Sequence, residues 1–489
     1  MINTQGSSSA QNIASSTETA KESNVPVVQD TSGLTTDELM AQEARTPGNV
    51  PATPLDMEDK EEMQQEERDQ LKIQGTASMS MSIFNLANSI MGSGILGLSY
   101  ALANTGIILF LVLFALVSVL TSYSIHLMLL CSEITGCLNF EKMGQKVYGI
   151  KGKYVIFGTT FLQNIGAMLS YLFIVKNELP CVIRVFAGKE EDFVAWYVDG
   201  RILVIIVTFG IVFPLCLMKR LGILGYTSGL SLSCMVFFLI VIIYEKFRIS
   251  CPMVSTDKLP NAPVVERCTP KYFVINFKSV YAVPTIAFAY VCHQAVLPVY
   301  RDLKHRSLKK MKRVSNVSIL SMCFMYLVTA FFGYLTFYGA VHSSLLHTYS
   351  DDSIIILIVR LAVMMAVTLT IPVLFLTSRE SLAELLKKES FNLVERITIG
   401  VIILGFVNLC VIYIPTMKDI FGVLGTTTAN MLIFIIPTLL FLKVTKHDKG
   451  KKDERFWALS LFILGIIFSF FSIPLVIYDW VTSSKPEGN

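Results

Sequence analysis

The chain has 489 residues, of which 53% are hydrophobic and only 16% charged, whereas ordinary soluble proteins are about 45–50% apolar and about 25% charged. Its formal charge of +4 joins an acidic stretch, residues 1–75 with 14 Asp+Glu against 5 Lys+Arg, to a remainder with 23 against 36, so net −9 meets net +13. Continuous apolar runs of about 20 residues exclude a single soluble core, and their lack of alternation excludes a transmembrane β-barrel.

Residues 1–75 are rich in Ser, Thr, Gln and Glu and are expected to form a disordered acidic cytosolic tail, with a helical stretch around Met57 to Gln74. They contain no apolar signal-peptide core, so the first membrane segment is expected to serve as the insertion signal. An all-α polytopic membrane domain is expected over residues 76–482. Its eleven apolar segments run over Met79–Ala103, Ile107–Leu130, Tyr154–Val175, Ile202–Met218, Ile223–Tyr244 and Val280–Tyr300. They continue over Val317–Tyr338, Ile354–Leu376, Ile397–Ile414, Phe421–Leu442 and Phe456–Tyr478.

An odd number of spans places the termini on opposite faces, and the positive-inside rule orients them. With a cytosolic N-terminus, cytosolic loops hold 23 Lys+Arg and external loops and C-tail hold 12. The densest cytosolic loop, Arg301 to Arg313, carries seven cations and one anion. It suits contact with anionic membrane lipids, and its place beside membrane helices argues against nucleic acid as a partner. Residues 245–279 then form an extracellular loop and 483–489 a short extracellular tail. Cys251 and Cys268 lie in that loop, where a disulfide can persist. The sequon Asn316-Val-Ser318 abuts the basic cytosolic loop, so no glycan is expected there.

In segment 1, the run Ser89-Ile-Met-Gly92-Ser93-Gly94-Ile-Leu-Gly97 places three glycines within six residues, near Asn85 and Asn88. Such spacing serves either close helix packing or a broken helix, whose freed carbonyls coordinate a cation and whose second half binds a carboxylate at its N-terminus. Segment 6 is the candidate counterpart, with Pro284 and Pro298 bracketing Thr285 to Gln294. Segments 1 and 6 are five apart, as a five-plus-five inverted repeat with one extra helix requires.

The run Ser82-Ile-Phe-Asn-Leu-Ala-Asn-Ser-Ile-Met-Gly-Ser-Gly-Ile-Leu-Gly-Leu-Ser-Tyr-Ala-Leu-Ala-Asn-Thr-Gly106 resembles the sodium-coupled neutral amino acid transporters of solute carrier family 38. Further matches are Leu162-Gln-Asn-Ile-Gly-Ala-Met-Leu-Ser-Tyr-Leu-Phe-Ile174, Phe331-Phe-Gly-Tyr-Leu-Thr-Phe-Tyr338 and Pro474-Leu-Val-Ile-Tyr-Asp-Trp480. The likeness covers roughly residues 76–482 and is strongest to the plasma-membrane system A branch. It implies the leucine-transporter-type fold, an internal N-terminus and sodium-driven uptake of small neutral L-amino acids by a protein that is no enzyme and has no cofactor beyond co-transported sodium. Asn88 matches the family's sodium-site asparagine, and its companion threonine is Thr368 or Thr370. The 5–6 loop is shorter than is usual in the family.

Sodium needs several oxygen ligands, which Asn88, unwound backbone near Ile90–Gly92 and a segment 8 threonine can supply. The substrate carboxylate is expected at the amides around Gly92, Ser93, Gly94 and Ile95. In segment 3, Gln163, Asn164 and Tyr171 form a polar stripe suited either to a permeation path or to helix–helix hydrogen bonds. His293 is either a pH sensor or a satisfied structural residue. Arg360 stands alone as a cation well inside a span, either functional or snorkelling outward, and Lys176 and Glu178 are expected at the interface. Competing readings are a proton-coupled carrier of the same fold and an amino-acid sensor with little flux. A ubiquitin ligase or kinase is an expected partner of the tail, whose Lys21, Lys60 and Lys72 are candidate targets.

Overall fold

The computed structural model describes residues 75–188, 195–217, 224–249, 269–350, 353–388 and 391–483. Cys251 and Cys268, like the acidic tail, lie outside the described residues. Among those described, nine helices are long and apolar enough to cross a membrane. The bent pair Met79–Ile90 and Gly94–Thr105, turning through 57°, makes a tenth span, and the shorter apolar helix Gly200–Cys216 occupies the expected place of segment 4. Each of the eleven expected segments is therefore matched by helix among the described residues.

Differences from expectation lie at helix ends and in π-turns within two of the spans. Segment 3 follows directly on a shorter helix, the two together spanning Phe140–Phe186 and joined at Gly149, which leaves helical geometry with φ 67°, a conformation costly for residues with a Cβ. Asn139 starts the shorter helix by accepting from the Lys142 amide, 3.0 Å away, a cap that hydropathy does not report. Segment 4 contains a π-turn at Thr208–Val212 just before Pro214. Segment 10 contains two, Gly425–Ala429 and Met431–Ile435.

Segment 8 (Ile354–Leu385) packs on segment 3 and on segment 5 (Leu224–Arg248), while segment 7 (Leu308–Phe337) packs on both halves of segment 1. Polar side chains join the helices: Thr428 donates to Gln163 Oε1 at 2.5 Å, and Asn164 Nδ2 to Thr377 Oγ1 at 3.3 Å. Each such bond contributes about 0.6 kcal/mol within a bilayer. For Gln163 and Asn164 the polar stripe thus supplies helix–helix bonding.

The two segments with glycines and prolines are tied at one end. Ala77 pairs with Leu303 in a β-bridge, its amide donating to the Asp302 carbonyl (2.9 Å) and its carbonyl accepting from Lys304 (2.8 Å). The start of segment 1 is therefore held to the end of segment 6, and their central portions approach each other.

Candidate functional site: two broken helices

Segment 1 breaks at Met91–Ser93, where Met91 leaves helical geometry with ψ 103° before a second helix starts at Gly94. Segment 6 breaks at Val291–Cys292, between Ala282–Tyr290 and His293–Asp302. Neither proline sits at the break. Pro284 falls in the first turn of its helix, where a missing amide hydrogen costs little, and Pro298 falls in the second half-helix. The bracketing prolines marked the correct segment, and the backbone opens between them.

The breaks face each other. A Cβ at Gly94 would stand 2.7 Å from both Cα and Cβ of Ala289, so the second half of segment 1 touches the end of the first half of segment 6 backbone to side chain. The phenol of Tyr326, on segment 7, reaches both breaks, 2.8 Å from the Ile90 carbonyl and 3.1 Å from that of Ala289. One phenolic proton can serve one of these carbonyls at a time. We expect Tyr326→Phe to lower the unfolding midpoint by several degrees, through a loss of about 1–3 kcal/mol for a buried unsatisfied carbonyl, and to raise the substrate KM. An unchanged midpoint and KM would remove Tyr326 from the site.

Segment 3 forms the facing wall. The Ser93 hydroxyl lies 2.6 Å from that of Ser170, and the Tyr171 hydroxyl stands 2.9 Å from where a Gly92 Cβ would be. Among the expected site residues, Gly92 and Ser93 thus lie in the break and Gly94 and Ile95 open the helix that follows, with Ser93, Gly94 and Ile95 buried. First-turn amides have no acceptor within their own helix, so the break offers donors to an anion. Asn88, one turn earlier, is buried at 8% exposure.

The two threonines differ. Thr370 donates to the Ala366 carbonyl at 2.8 Å, a carbonyl that also accepts from Ser231 of segment 5 at 3.2 Å. Thr368 is half-buried two residues earlier, and residues two apart point to different helix faces. Thr370 belongs to the face turned toward segment 5.

Other candidates settle differently. His293 is fully buried at the start of the second half of segment 6, with Nε2 3.1 Å from Ser124 Oγ. Ser124 in turn donates to the Ile433 carbonyl. This contact bridges segments 2, 6 and 10 through one ring nitrogen of His293, while the other, Nδ1, is buried with no hydrogen-bond partner among the described residues.

Arg360 does not snorkel, and Glu178 is not interfacial. The pair is buried, at 1% exposure each, with Nη1 of Arg360 3.4 Å from Oε2 of Glu178. Arg360 Nη2 also donates to the carbonyls of Tyr349 (3.0 Å) and Leu346 (3.3 Å) in the 7–8 loop. Lys176 donates to the carbonyls of Val411 (2.8 Å), Ile414 (3.3 Å) and Ile412 (3.4 Å) at the end of segment 9. A charge can reach water or find a partner, and here the partner lies on a helix distant in sequence.

Sequence reasoning missed Ser170 and Tyr326. Ser170 precedes a flagged tyrosine, whereas Tyr326 stands in an unremarkable apolar run and carries no local signal.

Two discontinuous helices meeting at mid-span on a scaffold of continuous ones define a membrane transporter fold of the leucine-transporter type. The solved structure of MhsT in complex with L-phenylalanine is similar throughout its length, with a TM-score of 0.55 at 13% identity, covering 83% of this chain and 100% of that one.

The family described as "Transmembrane amino acid transporter protein" matches residues 75–478. The sodium-coupled neutral amino acid symporter 2 of Danio rerio is 49% identical over 422 residues, covering 83% of each chain. The sodium-coupled neutral amino acid transporter 4 of Pongo abelii is 45% identical over 466 residues, covering 83% of this chain and 85% of its own. The chain belongs to the sodium-coupled neutral amino acid transporter family.

Proposed function

We propose that the chain is a plasma-membrane symporter that carries small neutral L-amino acids, of the alanine, serine and glutamine type, into the cell with sodium by alternating access. The observation that carries this reading is the meeting of the two helix breaks at Gly94 and Ala289, in a family whose similar members are named as sodium-coupled. The side chains around them, Asn88, Ser93, Ser170, Tyr171 and Tyr326, are uncharged in type, which suits a zwitterion balanced by backbone dipoles and one cation. In this reading Asn88 and either Thr368 or Thr370 supply side-chain oxygens to sodium. The amides of Gly92, Ser93, Gly94 and Ile95 receive the carboxylate. The N-terminus is cytosolic and the C-terminus extracellular.

Electrophysiology with an amino-acid panel including a methylated alanine analogue tests the function, with currents expected in sodium and lost without it. Currents that survive sodium replacement but vanish with a collapsed pH gradient would instead establish proton coupling. For the ion site, Asn88→Ala is expected to raise the sodium concentration for half-maximal uptake. Unchanged sodium dependence at normal surface abundance would refute the assignment.

Residues 1–75 act in this reading as a regulatory appendage open to a ubiquitin ligase or kinase. Deleting residues 1–70 should leave ion coupling intact and alter surface abundance on amino-acid starvation; no change in abundance would sink that role.

A further inference from the structure

The two breaks free a matched pair of carbonyls. In an unbroken helix the Ile90 carbonyl would accept from the amide of Gly94, and the Ala289 carbonyl from that of His293, each four residues on. Gly94 and His293 are instead the first residues of the second half-helices, so each break takes away one of these bonds. The phenol of Tyr326 stands in for both lost amides, 2.8 Å from the Ile90 carbonyl and 3.1 Å from that of Ala289. It carries one hydrogen to share between them.

Tyr326 itself is held in place. It is fully buried, and its ring packs edge-on against that of Tyr290, the neighbour of Ala289, with centroids 5.6 Å apart. Its helix, segment 7, is bonded to both halves of segment 1: Ser318 donates to the Ile83 carbonyl at 3.0 Å, and Ser99 donates to the Thr329 carbonyl at 3.2 Å. The hydroxyl can therefore change acceptors by turning about its own C–O bond, with the helix still. A cation on the Ile90 carbonyl repels the hydroxyl hydrogen from that oxygen and leaves Ala289 as its acceptor.

We propose that Tyr326 is a positioning residue that couples sodium to the amino acid. Sodium takes the Ile90 carbonyl, and the phenol turns its hydrogen bond to the Ala289 carbonyl. Segment 6 is thereby fixed against segment 1 where Ala289 meets Gly94, beside the amides that receive the carboxylate. The amino acid binds more tightly once sodium is in place, and by linkage sodium binds more tightly with the amino acid. This relay rests on the transport reading above and adds the route by which one ligand favours the other.

The test measures binding of radiolabelled alanine to the purified full chain in detergent at low and at high sodium, with choline keeping the ionic strength constant. In the unmodified chain, high sodium is expected to tighten alanine binding about five-fold or more. In Tyr326→Phe alanine should bind weakly at both sodium concentrations, with the ratio near one. Tyr326→Gln is the second variant: it keeps a hydrogen-bonding group in the interior but no hydroxyl to turn, and should lose the ratio as well. Tyr334→Phe is the control for a merely structural loss. It removes another buried phenol from the same helix, one that accepts from the Lys271 amide at 2.8 Å, and should keep the full ratio. An undiminished ratio in either Tyr326 variant, or an equal loss in Tyr334→Phe, would overturn the relay and leave symport standing. No effect of sodium on alanine binding in the unmodified chain would overturn the symporter reading, and the relay with it.

Discussion

Arg360→Met is expected to destabilise the protein by about 3–5 kcal/mol, because it takes the neighbouring guanidinium charge away from the Glu178 carboxylate in a dry interior. Both side chains are at 1% exposure, so water cannot replace the lost partner without opening the helix packing. Glu178→Gln should cost a similar amount by taking the carboxylate charge away from the buried guanidinium. The Glu178→Gln/Arg360→Met double variant removes both charges and should regain much of the loss, since replacing an entire buried pair by neutral groups is often near neutral. Recovery should be incomplete, because the Tyr349 and Leu346 carbonyls still lose their donor. Unfolding midpoints and surface abundance of the three variants measure the coupling directly. Additive losses in the double variant would show that the two charges act independently and that the pair is no latch between segments 3 and 8.

The second large effect concerns Gly94. A methyl group there would stand 2.7 Å from the Ala289 Cα, nearer than non-bonded carbons tolerate, and the obstacle is backbone rather than a movable side-chain tip. Gly94→Ala must therefore push segment 6 away from segment 1 or distort the break, at about 1–3 kcal/mol for overpacking. This outweighs the roughly 1 kcal/mol that alanine normally gains over glycine in a helix. Uptake should fall far more than surface abundance, because the displaced groups are those proposed to hold the substrate. Gly158→Ala supplies the control: nothing lies within 4 Å of the added carbon, so uptake and stability should be maintained or slightly improved. Equal behaviour of the two variants would show that close approach at Gly94 is irrelevant to transport.

The helix breaks were legible to different degrees. In segment 1 the glycines and small polar residues coincide with the disruption itself, because they are the residues that tolerate a broken backbone and satisfy its freed groups. In segment 6 the prolines lie on either side of the break and only narrowed the search. Gln163 and Asn164 were visible as polar residues in an oily helix, but their choice of Thr428 and Thr377 depends on how segments 3, 8 and 10 pack. Arg360 was conspicuous for the same reason, and its two readings stayed open: one helix cannot disclose that a carboxylate 182 positions earlier lies within reach.

The sequence alone determined the membrane class, the eleven segments, the likeness to a transporter family and the location of one helix break. These follow from local chemistry: apolar length, the distribution of charge and the glycine pattern act within a few turns. The tertiary structure alone decided that Ala289 lies against Gly94, that Tyr326 bridges two breaks, and that Arg360 pairs with Glu178 instead of seeking water. Each of these depends on side chains from separate helices meeting in three dimensions, where packing sets distances that spacing along one chain does not encode.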